Sequence, residues 1–446
     1  MKIALEDHNT TMFRLKEFLS TNTIKIKDIE SEISVRICRR LISIFSIVKD
    51  CRQQKKIFYQ LKDLILMEFL AAVGGADSGE DVEDFWERKF SLYKKIFGPN
   101  YERVPSHDTF DRVIGLIPSS EMNKTLVDIL LEADKALRKA LKLPKPDYRH
   151  ISVDGKQLRG TGRVNTMNGP IKDLQILNVY DNTSDTCLVS EKIEDKTNEI
   201  PHAQSILSQM ELKDTLVTFD ALHTQKETIS IIAKKRGDYI GGLKGNQHSL
   251  NEYAINLFNK ERLAKIESST DDYAYNKTIA HGQLEERQFF MARLTPKQCK
   301  TDFDGWAKVQ SLTCYVKTCT NNNTGKTSKE TRYYISSLND VAEIATGIRE
   351  HLGEENRLHN GLDMVMMEDQ MRIANKNAAL NRSIINKMCL ALYCKLQEVQ
   401  NLKGKKSKRR IRKCIGWAYE EGMKQIFTLL DPIALRRCLI IEPKKK

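Results

Sequence analysis

The sequence predicts an α/β protein in which a helical N-terminal region precedes a sheet with alternating helices. Three observations predict this class. Apolar residues recur with helical spacing up to about residue 145. Two prolines, Pro144 and Pro146, then interrupt the pattern as a linker would. Beyond them, β-branched and apolar runs alternate with turn signals and short helical segments. A chain of 446 residues is too long for one core, so we expect roughly two to four domains.

The N-terminal region, residues 1–145, is predicted to consist of helices. Ile33, Ile37 and Leu41 follow helical spacing, and the run 61–72 is strongly helix-forming. Further helices are predicted at about 81–97, from a cap at Ser106 or Asp108 onward, and at about 121–141. We therefore expect an all-helical N-terminal domain.

The region that follows is predicted to begin with three strands and then to alternate helices with strands. The predicted elements are strands 151–154, 174–181 and 186–193, helix 200–210, strand 216–220, helix 227–235 and strand 238–244. This order is that of a ribonuclease H-like fold. The last strands alternate with helices, so they should be parallel and buried.

A β-rich segment is predicted to interrupt this fold at about 270–340. The residues there alternate in strand fashion around a polar loop at 321–329. The predicted layout is a helical N-terminal domain at 1–145, a ribonuclease H-like domain with a β-rich insertion at 146–400, and a basic helical tail at 401–446.

Two carboxylates end strands that this topology makes neighbours. Asp154 closes the first predicted strand and Asp220 closes the fourth. An Asp-Gly pair such as Asp154-Gly155 is also a common turn, so a structural role is the alternative. Two carboxylates at adjacent strand ends repel each other unless cations lie between them, and Mg²⁺ accepts carboxylate oxygens. Asp154 and Asp220 are therefore a candidate metal-binding pair.

Composition excludes several protein classes. The longest apolar run, 64–73, is interrupted by Glu68 and is too short for a membrane span. The early acidic residues Glu6 and Asp7 do not fit a signal peptide. The ten cysteines are scattered without a Cys-x-x-Cys pair, so reduced thiols are expected rather than a zinc site or disulfide framework. We expect a cytoplasmic protein without a membrane partner.

The positive charge indicates a polyanionic partner. The formal net charge is +13, and eight basic residues lie between Lys403 and Lys413. Such a run, including Lys408, Arg409 and Arg410, is a solvated cluster by itself, and nucleic acid, whose phosphates it could contact, is the natural candidate partner.

A second group of polar residues follows the strand at 238–244. Lys244, Asn246 and Gln247 could contact the phosphates or bases of a nucleic acid, and their alternative role is turn formation at the strand end.

Several blocks together resemble one protein family. They are FLAAVGGADSGEDVEDF, VPSHDTFDRVI, VDGKQLRG, KTNEIP, LVTFDALHTQKE, DYIGGLKGNQ, HGQLEER and IREHLGEENRLHNGLDMVMMED. Their order and content resemble the H-repeat-associated, or IS-As-type, insertion-sequence transposases, from about residue 40 to the C-terminus. Collinear blocks are more specific than any one of them.

The resemblance implies a DDE transposase, an enzyme that cuts and joins DNA by metal-dependent phosphoryl transfer. It implies that the helical domain at 1–145 binds DNA and that the ribonuclease H-like domain at 146–400 is the catalytic domain. It matches Glu355, in HLGEEN, to the third carboxylate of the family. Asp154, Asp220 and Glu355 are then the implied catalytic and metal-binding residues. Two Mg²⁺ ions, which Mn²⁺ could replace, are the implied cofactors.

The resemblance also implies the partners. They are double-stranded DNA carrying the terminal inverted repeats, target DNA and a second copy of the chain, all in the bacterial nucleoid. His281, Arg287 and Arg349 lie in matching blocks and are implied DNA contacts. Ser106, His107 and Arg112 of the N-terminal helices are candidates for recognition of the terminal repeats.

The block around Glu355 departs from the family. Leu352 and Asn360 stand where the family has tryptophan, and Glu354 replaces an apolar residue. A decayed transposase that binds DNA without cutting is therefore one alternative, and a host nuclease of the same fold is another. Glu368 and Asp369 compete with Glu355 for the third acidic position. His351 and His359 flank Glu355, where helix-surface polarity or DNA contact is expected rather than metal ligation.

Overall fold

A computed structural model describes residues 22–26, 31–143, 148–163, 169–193, 199–269, 271–280, 282–400 and 406–443. The chain forms two compact units. With the gaps just given, the first unit contains residues 148–154 and 199–354, and the second contains 22–26, 31–143, 155–193 and 355–443. The chain passes from the first unit to the second after Asp154 and again after Glu354.

Helices and strands have the following bounds. Within the described residues the strands are β1 Asn22–Ile26, β2 Arg149–Leu158, β3 Leu174–Asp181, β4 Thr186–Ile193, β5 Thr215–Phe219, β6 Asp238–Leu243, β7 Tyr273–Ala280, β8 Gln283–Arg293, β9 Ser311–Asn321, β10 Thr327–Ser336 and β11 Leu439–Pro443. The α-helices there are α1 Ser31–Phe45, α2 Leu61–Gly74, α3 Gly79–Arg88, α4 Phe90–Phe97, α5 His107–Ile114, α6 Ser119–Ala140, α7 Glu199–Gln209, α8 Lys226–Lys234, α9 His248–Leu257, α10 Lys260–Glu267, α11 Pro296–Thr301, α12 Val341–Glu354, α13 Asn360–Val365, α14 Lys376–Val399, α15 Lys408–Trp417, α16 Tyr419–Leu430 and α17 Pro432–Cys438.

A large mixed sheet forms the framework of the first unit. Its hydrogen-bonded order is β2-β5-β6-β10-β9-β8-β7, where β2 contributes residues 149–154. Strands β2, β5 and β6 are parallel to one another. From β6 onward each strand is antiparallel to the next, in the spatial order β6, β10, β9, β8 and β7. All five residues of β5 are buried, as expected for an inner strand of a parallel sheet. The antiparallel strands β7 to β10 lie in the range where the sequence predicts the β-rich segment.

Helix α12 packs on this sheet. Ile344, Ala345 and Ile348 share a buried cluster with sheet residues such as Ile240. Gly347 permits the close approach, because a Cβ atom there would lie only 2.6 Å from Cδ1 of Ile240. The sheet therefore fixes the helix that ends at Glu354.

The second unit is mainly helical. Its buried cluster joins the N-terminal helices α1, α2 and α6 to the C-terminal helices α14 to α16. Strands β3 and β4 pair in antiparallel fashion, and Leu174, Ile176 and Tyr180 of β3 belong to the same cluster. Helix α14 is buried on nearly all sides, and its buried residues include the charged side chains of Arg382, Lys387 and Lys395. This packing does not follow the predicted divisions at 145/146 and 400/401.

The prediction of all-helical terminal regions is wrong in one respect. Strand β1, near the N-terminus, pairs in antiparallel fashion with β11, near the C-terminus, with Ile24 opposite Ile441. Local sequence does not reveal such a strand, because its partner lies at the other end of the chain.

Two predicted element boundaries change, and one predicted cap lies where expected but lacks its hydrogen bond. The helix predicted over 81–97 is two helices, α3 and α4, separated at Lys89. The strand predicted to end at Asp154 continues to Leu158. Ser106 is the N-cap residue of α5, but its hydroxyl contacts Oγ1 of Thr109 at 3.2 Å instead of capping a backbone amide.

Two further findings concern membrane spans and cysteines. In the part of the chain that the structure describes, no helix is long and apolar enough to cross a membrane. The ten cysteines are free thiols, and six of them are buried.

Candidate active site

The parallel pairing of β2 and β5 places two acidic residues at matching positions. The register pairs Val153 with Phe219, and Asp154 and Asp220 are the next residue of each strand path. Parallel neighbours lie about 4.8 Å apart, so the two backbones carry these acids side by side. Asp220 follows the last residue of β5, as predicted, whereas Asp154 lies within β2 because that strand continues. Both residues are partly exposed.

A tight turn holds the carboxylate of Asp220. Its Oδ1 accepts hydrogen bonds from the backbone N–H groups of Leu222, at 2.9 Å, and His223, at 3.3 Å. The hydroxyl of Thr224 donates to the backbone oxygen of Asp220, at 3.0 Å, and to that of Gly242, at 2.7 Å. The side chain of Asp220 is therefore oriented by its own loop.

Two glycines of β6 make room for this turn. A Cβ atom at Gly241 would lie 2.7 Å from Oγ1 of Thr224, and one at Gly242 would lie 3.2 Å from the backbone nitrogen of Ala221. The Gly-Gly pair in DYIGGLK thus has a steric reason. Its signal in the sequence is two adjacent glycines inside an otherwise apolar strand.

The residues after β6 hold the same loop. The side-chain amide of Asn246 donates to the backbone oxygen of Ala221 at 2.6 Å, and that of Gln247 donates to the oxygens of Ala221 and Thr224, both at 2.7 Å. Gln247 is buried. The structure thus gives Asn246 and Gln247 the turn role that was the alternative to DNA contact. Lys244 is exposed and lies on the rim of a cavity.

A cavity of about 430 Å³ opens beside Asp220. Its lining includes Lys244 and Arg332, so two cationic side chains face the same space as the Asp220 carboxylate. Glu330 pairs with Arg332 at 2.6 Å and partly balances its charge. His351 also lines the cavity. A phosphate group would find cations and an acidic metal-ligand candidate within one cavity.

A row of polar side chains lies on the sheet face that carries the two acids. Residues two apart along a strand share a face, so Ser152 accompanies Asp154, and Thr218 accompanies Asp220. Oγ1 of Thr218 lies 3.1 Å from Oγ of Ser152 and 3.3 Å from Nδ1 of His351. His351 thus packs onto the sheet, and the prediction of helix-surface polarity for it is wrong. Its burial lowers its pKa to about 4, although Asp220 acts in the opposite direction.

A buried histidine was not predicted from the sequence. His223, three residues after Asp220, is 1% exposed, and its Nε2 lies 3.3 Å from a carboxylate oxygen of Glu199. The pair joins two of the blocks that carry the family resemblance, KTNEIP and LVTFDALHTQKE. In the sequence, this pair is indicated only by a histidine in one block and an acidic residue in the other.

The third predicted acid lies in the second unit. Glu355 begins a π-helical turn, Glu355–His359, and its side chain falls outside the described residues. Within the described residues, no group of three or more His, Cys, Asp or Glu side chains is arranged to hold a metal ion. Asp154 and Asp220 supply the hard oxygen donors that Mg²⁺ prefers, and one or two carboxylates with water and phosphate suffice for it. The pair therefore fits a magnesium ligand set, and Glu355 as a further ligand stays a prediction.

The residues that depart from the family have distinct surroundings. Leu352, in place of tryptophan, lines the cavity and packs against the core of the first unit. Glu354 is 1% exposed, and Asn360 is exposed at the start of α13. An apolar anchor is therefore kept at position 352.

The competing acids have partners of their own. Glu368 is fully buried, and its carboxylate lies 3.2 Å from the ammonium group of Lys156. Asp369 lies 3.9 Å from the guanidinium group of Arg159. Glu368 thus has an internal partner, in keeping with a supporting role.

Two other predicted DNA contacts lie on β8 and α12. Arg287 forms an ion pair with Glu285 on β8 and donates to Oγ1 of Thr278 at 2.9 Å, so its guanidinium group is engaged within the sheet. Arg349 lies partly buried on α12. His281 falls outside the described residues.

The N-terminal candidates lie on α5 and at its N-cap, in the second unit. His107 contacts a carboxylate oxygen of Glu83 through Nδ1 at 2.8 Å, and this hydrogen bond raises the pKa of His107. Arg112 is exposed in the last turn of α5, as is Ser106 at its cap.

The predicted basic run forms helix α15 in the second unit. Arg409 and Arg410 are exposed, and Lys408 is partly exposed. Arg412 instead is buried, where it donates to the backbone oxygen of Val365 at 2.6 Å and pairs with Asp77 at 2.5 Å. One member of the run is therefore a core residue and not a DNA contact.

Comparisons with known proteins found a family model, related sequences and a solved structure that are similar to this chain. A family model described as DDE_Tnp_1-associated matches residues 42–129. The chain is 30% identical over 389 residues to "Putative transposase YncI" of Escherichia coli O157:H7, covering 85% of this chain and 93% of that protein. It is 29% identical over 344 residues to "H repeat-associated putative transposase YhhI" of Escherichia coli (strain K12), covering 76% and 86%. A solved piggyBac transposase synaptic complex with hairpin DNA aligns over 97% of this chain and 82% of that chain, with 15% identity and a TM-score of 0.37, which is too low to establish a common fold.

Proposed function

Because the chain belongs to the H-repeat-associated family of insertion-sequence transposases, we propose that it cuts DNA at the ends of a transposable element and joins those ends to target DNA. The observation that carries the proposal is the pair Asp154 and Asp220. They occupy matching positions on parallel strands, and Asp220 opens onto a cavity that Lys244 and Arg332 also line.

The proposed catalytic fold is ribonuclease H-like. Its support is the order of elements along the chain, β2, β3, β4, α7, β5, α8 and β6. The first, fourth and fifth of these strands are parallel neighbours, whereas the second and third form an antiparallel pair. In such a fold the acidic residues belong at the carboxyl end of the parallel strands, where Asp220 lies.

Each site residue has a proposed role. Asp154, Asp220 and Glu355 would hold two Mg²⁺ ions, which supply activation of water or of a DNA 3′-hydroxyl and stabilise the leaving oxygen. Lys244 and Arg332 would attract the scissile phosphate into the cavity beside Asp220. Asn246 and Gln247 hold the loop that aims Asp220, so they act through that residue.

The proposed partner is double-stranded DNA, including the terminal inverted repeats and the target. The formal net charge of +13 supports a polyanionic partner. Helix α15 supports it further, because Arg409, Arg410 and Lys413 are exposed on the helix that carries the 76% exposed Trp417. Such a helix can bind phosphates through its cations and place an aromatic ring against sugar or bases. A homodimer that pairs two DNA ends belongs to the same proposal.

The test is a cleavage assay with DNA that carries the element ends. The wild-type chain with Mg²⁺ is expected to cut at the end, and Asp154→Asn and Asp220→Asn are each expected to lower the rate at least a thousandfold while DNA binding remains, because each loses a metal-ligand charge. Asp214→Asn is the matched control, since Asp214 is exposed at the opposite end of β5 and has a positive φ that asparagine tolerates. Its rate should equal that of the wild type.

Three other outcomes are informative. Full activity of Asp154→Asn would refute the proposed site. Binding of the ends without any cutting by the wild type would favour the decayed transposase. Cutting without preference for the terminal repeats would favour a host nuclease. The neighbouring DNA of the gene distinguishes the last case independently, because a mobile element carries inverted repeats just outside the coding region.

A further inference from the structure

The ammonium group of Lys156 is buried in the second unit at the centre of a cluster of oxygen atoms. Its Nζ lies 2.5 Å from Oδ1 of Asp363, 3.2 Å from Oε2 of Glu368 and 3.5 Å from the backbone oxygen of His359. The side chain of Lys156 is 6% exposed. A lysine is rarely this buried unless its charge is paired, so these contacts account for its position.

The three oxygen atoms come from three successive elements that follow Glu355. His359 ends the π-helical turn that begins at Glu355, Asp363 lies in α13, and Glu368 begins the next 3₁₀ turn. One cation thus bridges the whole segment 359–368. Since Lys156 lies on β2, this segment is tied to the strand that also carries Asp154, two residues earlier.

Glu368 depends strongly on this cation. Its side chain is fully buried, and Lys156 is the ion-pair partner that the described residues provide for it. A buried carboxylate that loses its ion-pair partner is disfavoured, because water does not solvate it and the other nearby cation, Lys387, acts on it only through space. Without Lys156 the turn at Glu368 would therefore move toward solvent.

Other contacts hold the π-helical turn and the segment that follows it. Arg357 donates to Oδ1 of Asn182 at 2.7 Å. Gly361 packs so closely on α14 that a Cβ atom there would lie 2.8 Å from Cδ2 of Leu390. These contacts join the segment to the β3–β4 turn and to α14, whereas Lys156 joins it to β2.

We propose that Lys156 is a positioning residue for Glu355, holding the π-helical turn that begins there in register with strand β2. The inference rests on the proposed role of Glu355 as the third carboxylate. It also offers a reason why a chain that lacks the family's tryptophans at positions 352 and 360 can keep this turn in place. Lys156 itself need not touch DNA or metal.

The first test measures hydrogen exchange of the metal-free, full-length chain. In Lys156→Met, amides of residues 359–371 are expected to exchange at least tenfold faster than in the wild type, because the ion pairs that fix this segment are gone. The matched control is Lys395→Met. Lys395 is a buried lysine of the same unit whose ammonium group lies 2.6 Å from Asp134, on a different helix pair. That control should leave exchange in 359–371 within twofold of the wild type.

The second test measures single-turnover cleavage together with DNA binding. Lys156→Met is expected to lower the cleavage rate at least tenfold and to raise the half-saturating Mg²⁺ concentration, since a misplacement of about 1 Å costs roughly a hundredfold in rate. Its Kd for DNA ends should stay within twofold of the wild-type value. Asp363→Asn provides a milder variant if Lys156→Met does not fold, because Asp363 is 29% exposed.

The outcomes separate the two proposals. Unchanged exchange in 359–371, or cleavage by Lys156→Met equal to that by Lys395→Met, would overturn the positioning role. A wild-type chain that never cuts would instead overturn the proposed function. The exchange experiment would then still decide whether Lys156 holds the segment.

Discussion

Single residues set the chemistry of the candidate site. Asp154 and Asp220 could be predicted from the sequence because each follows an apolar run that forms a buried strand. Their orientation could not be predicted in this way. The Asp220 carboxylate is held by backbone N–H groups of its own turn, and that turn is held by Asn246 and Gln247 from the next strand end.

His351 makes the stability of the first unit depend on pH. Burial lowers its pKa from 6.5 to about 4. Between pH 4 and pH 6.5 the imidazole of His351 is protonated in the unfolded chain and neutral in the folded chain. The contribution of His351 to the free energy of unfolding is therefore complete above pH 6.5 and is lost as the pH falls toward 4. The loss amounts to about 3 kcal/mol of unfolding free energy, at about 1.4 kcal/mol per pKa unit.

We therefore predict that His351→Gln flattens this part of the pH profile. Urea denaturation of the wild type and the variant between pH 6.5 and 4 measures the free energy of unfolding of each. His248→Gln is the control, because His248 is exposed, with 75% of its side-chain surface accessible. The same pH slope in the wild type and in His351→Gln would show that His351 does not contribute.

At the level of elements, helix α15 has two different faces. Ile411, Arg412 and Ile415 are buried, so they anchor the helix in the second unit. Arg410, Lys413 and Trp417 are exposed and recur at intervals of three and four residues along the other side of the helix. A basic run in the sequence is thus divided by helix periodicity into a structural part and a surface part.

We predict that the exposed cations of α15 contribute to the salt dependence of DNA binding. Arg409→Ala, Arg410→Ala and Lys413→Ala combined should reduce the slope of log Kd against log salt by roughly 3, at about 0.9 for each phosphate that is no longer neutralised. Fluorescence titration at several salt concentrations measures the slope. The signal of Trp417, assigned by its loss in Trp417→Phe, should decrease when DNA binds.

The matched control for this experiment is Arg436→Ala with Arg437→Ala. Both arginines are exposed on α17, so this variant lowers the net charge without changing α15. An equal loss of slope per charge in both variants would indicate a general charge effect and would contradict a specific role for α15.

At the level of the whole molecule, the second unit draws its core from distant parts of the chain. Tyr419 donates its hydroxyl hydrogen bond to the backbone oxygen of Leu70 at 3.1 Å, and Arg412 pairs with Asp77. Met423 and Phe427 share the buried cluster with Leu41. The C-terminal region is therefore an integral part of the fold around the N-terminal helices.

We predict that a chain ending at residue 400 does not fold its second unit. Removal of α15 to α17 exposes a large apolar surface on α1, α2 and α6, and it leaves Asp77 without its buried cation. The expected result is loss of cooperative thermal unfolding and of solubility, measured by circular dichroism and by sedimentation. A chain ending at residue 443 is the control and should unfold like the full-length chain. A folded, soluble chain of 400 residues would contradict the prediction.

Local elements of the fold could be predicted from the sequence better than contacts between distant residues, and the reason is physical. Strands such as β5 and helices such as α2 are dictated by local composition, so they could be predicted closely. The pairing of β1 with β11, the buried state of Arg412 and the contact of Lys156 with Glu368 depend on residues hundreds of positions apart or on different elements. Local periodicity carries no information about such partners.

The sequence by itself determined the α/β class, the matching positions of Asp154 and Asp220 on neighbouring strands, and the family. The comparisons confirm the family. These features are encoded in contiguous runs and in blocks that keep their order. The tertiary structure alone decided which polar residues serve the fold and which face a cavity. Gln247 and Arg412 turn inward to meet backbone oxygens, whereas Lys244 and Trp417 stay exposed. That distinction depends on burial, because a polar group that loses water must find a partner in the folded chain.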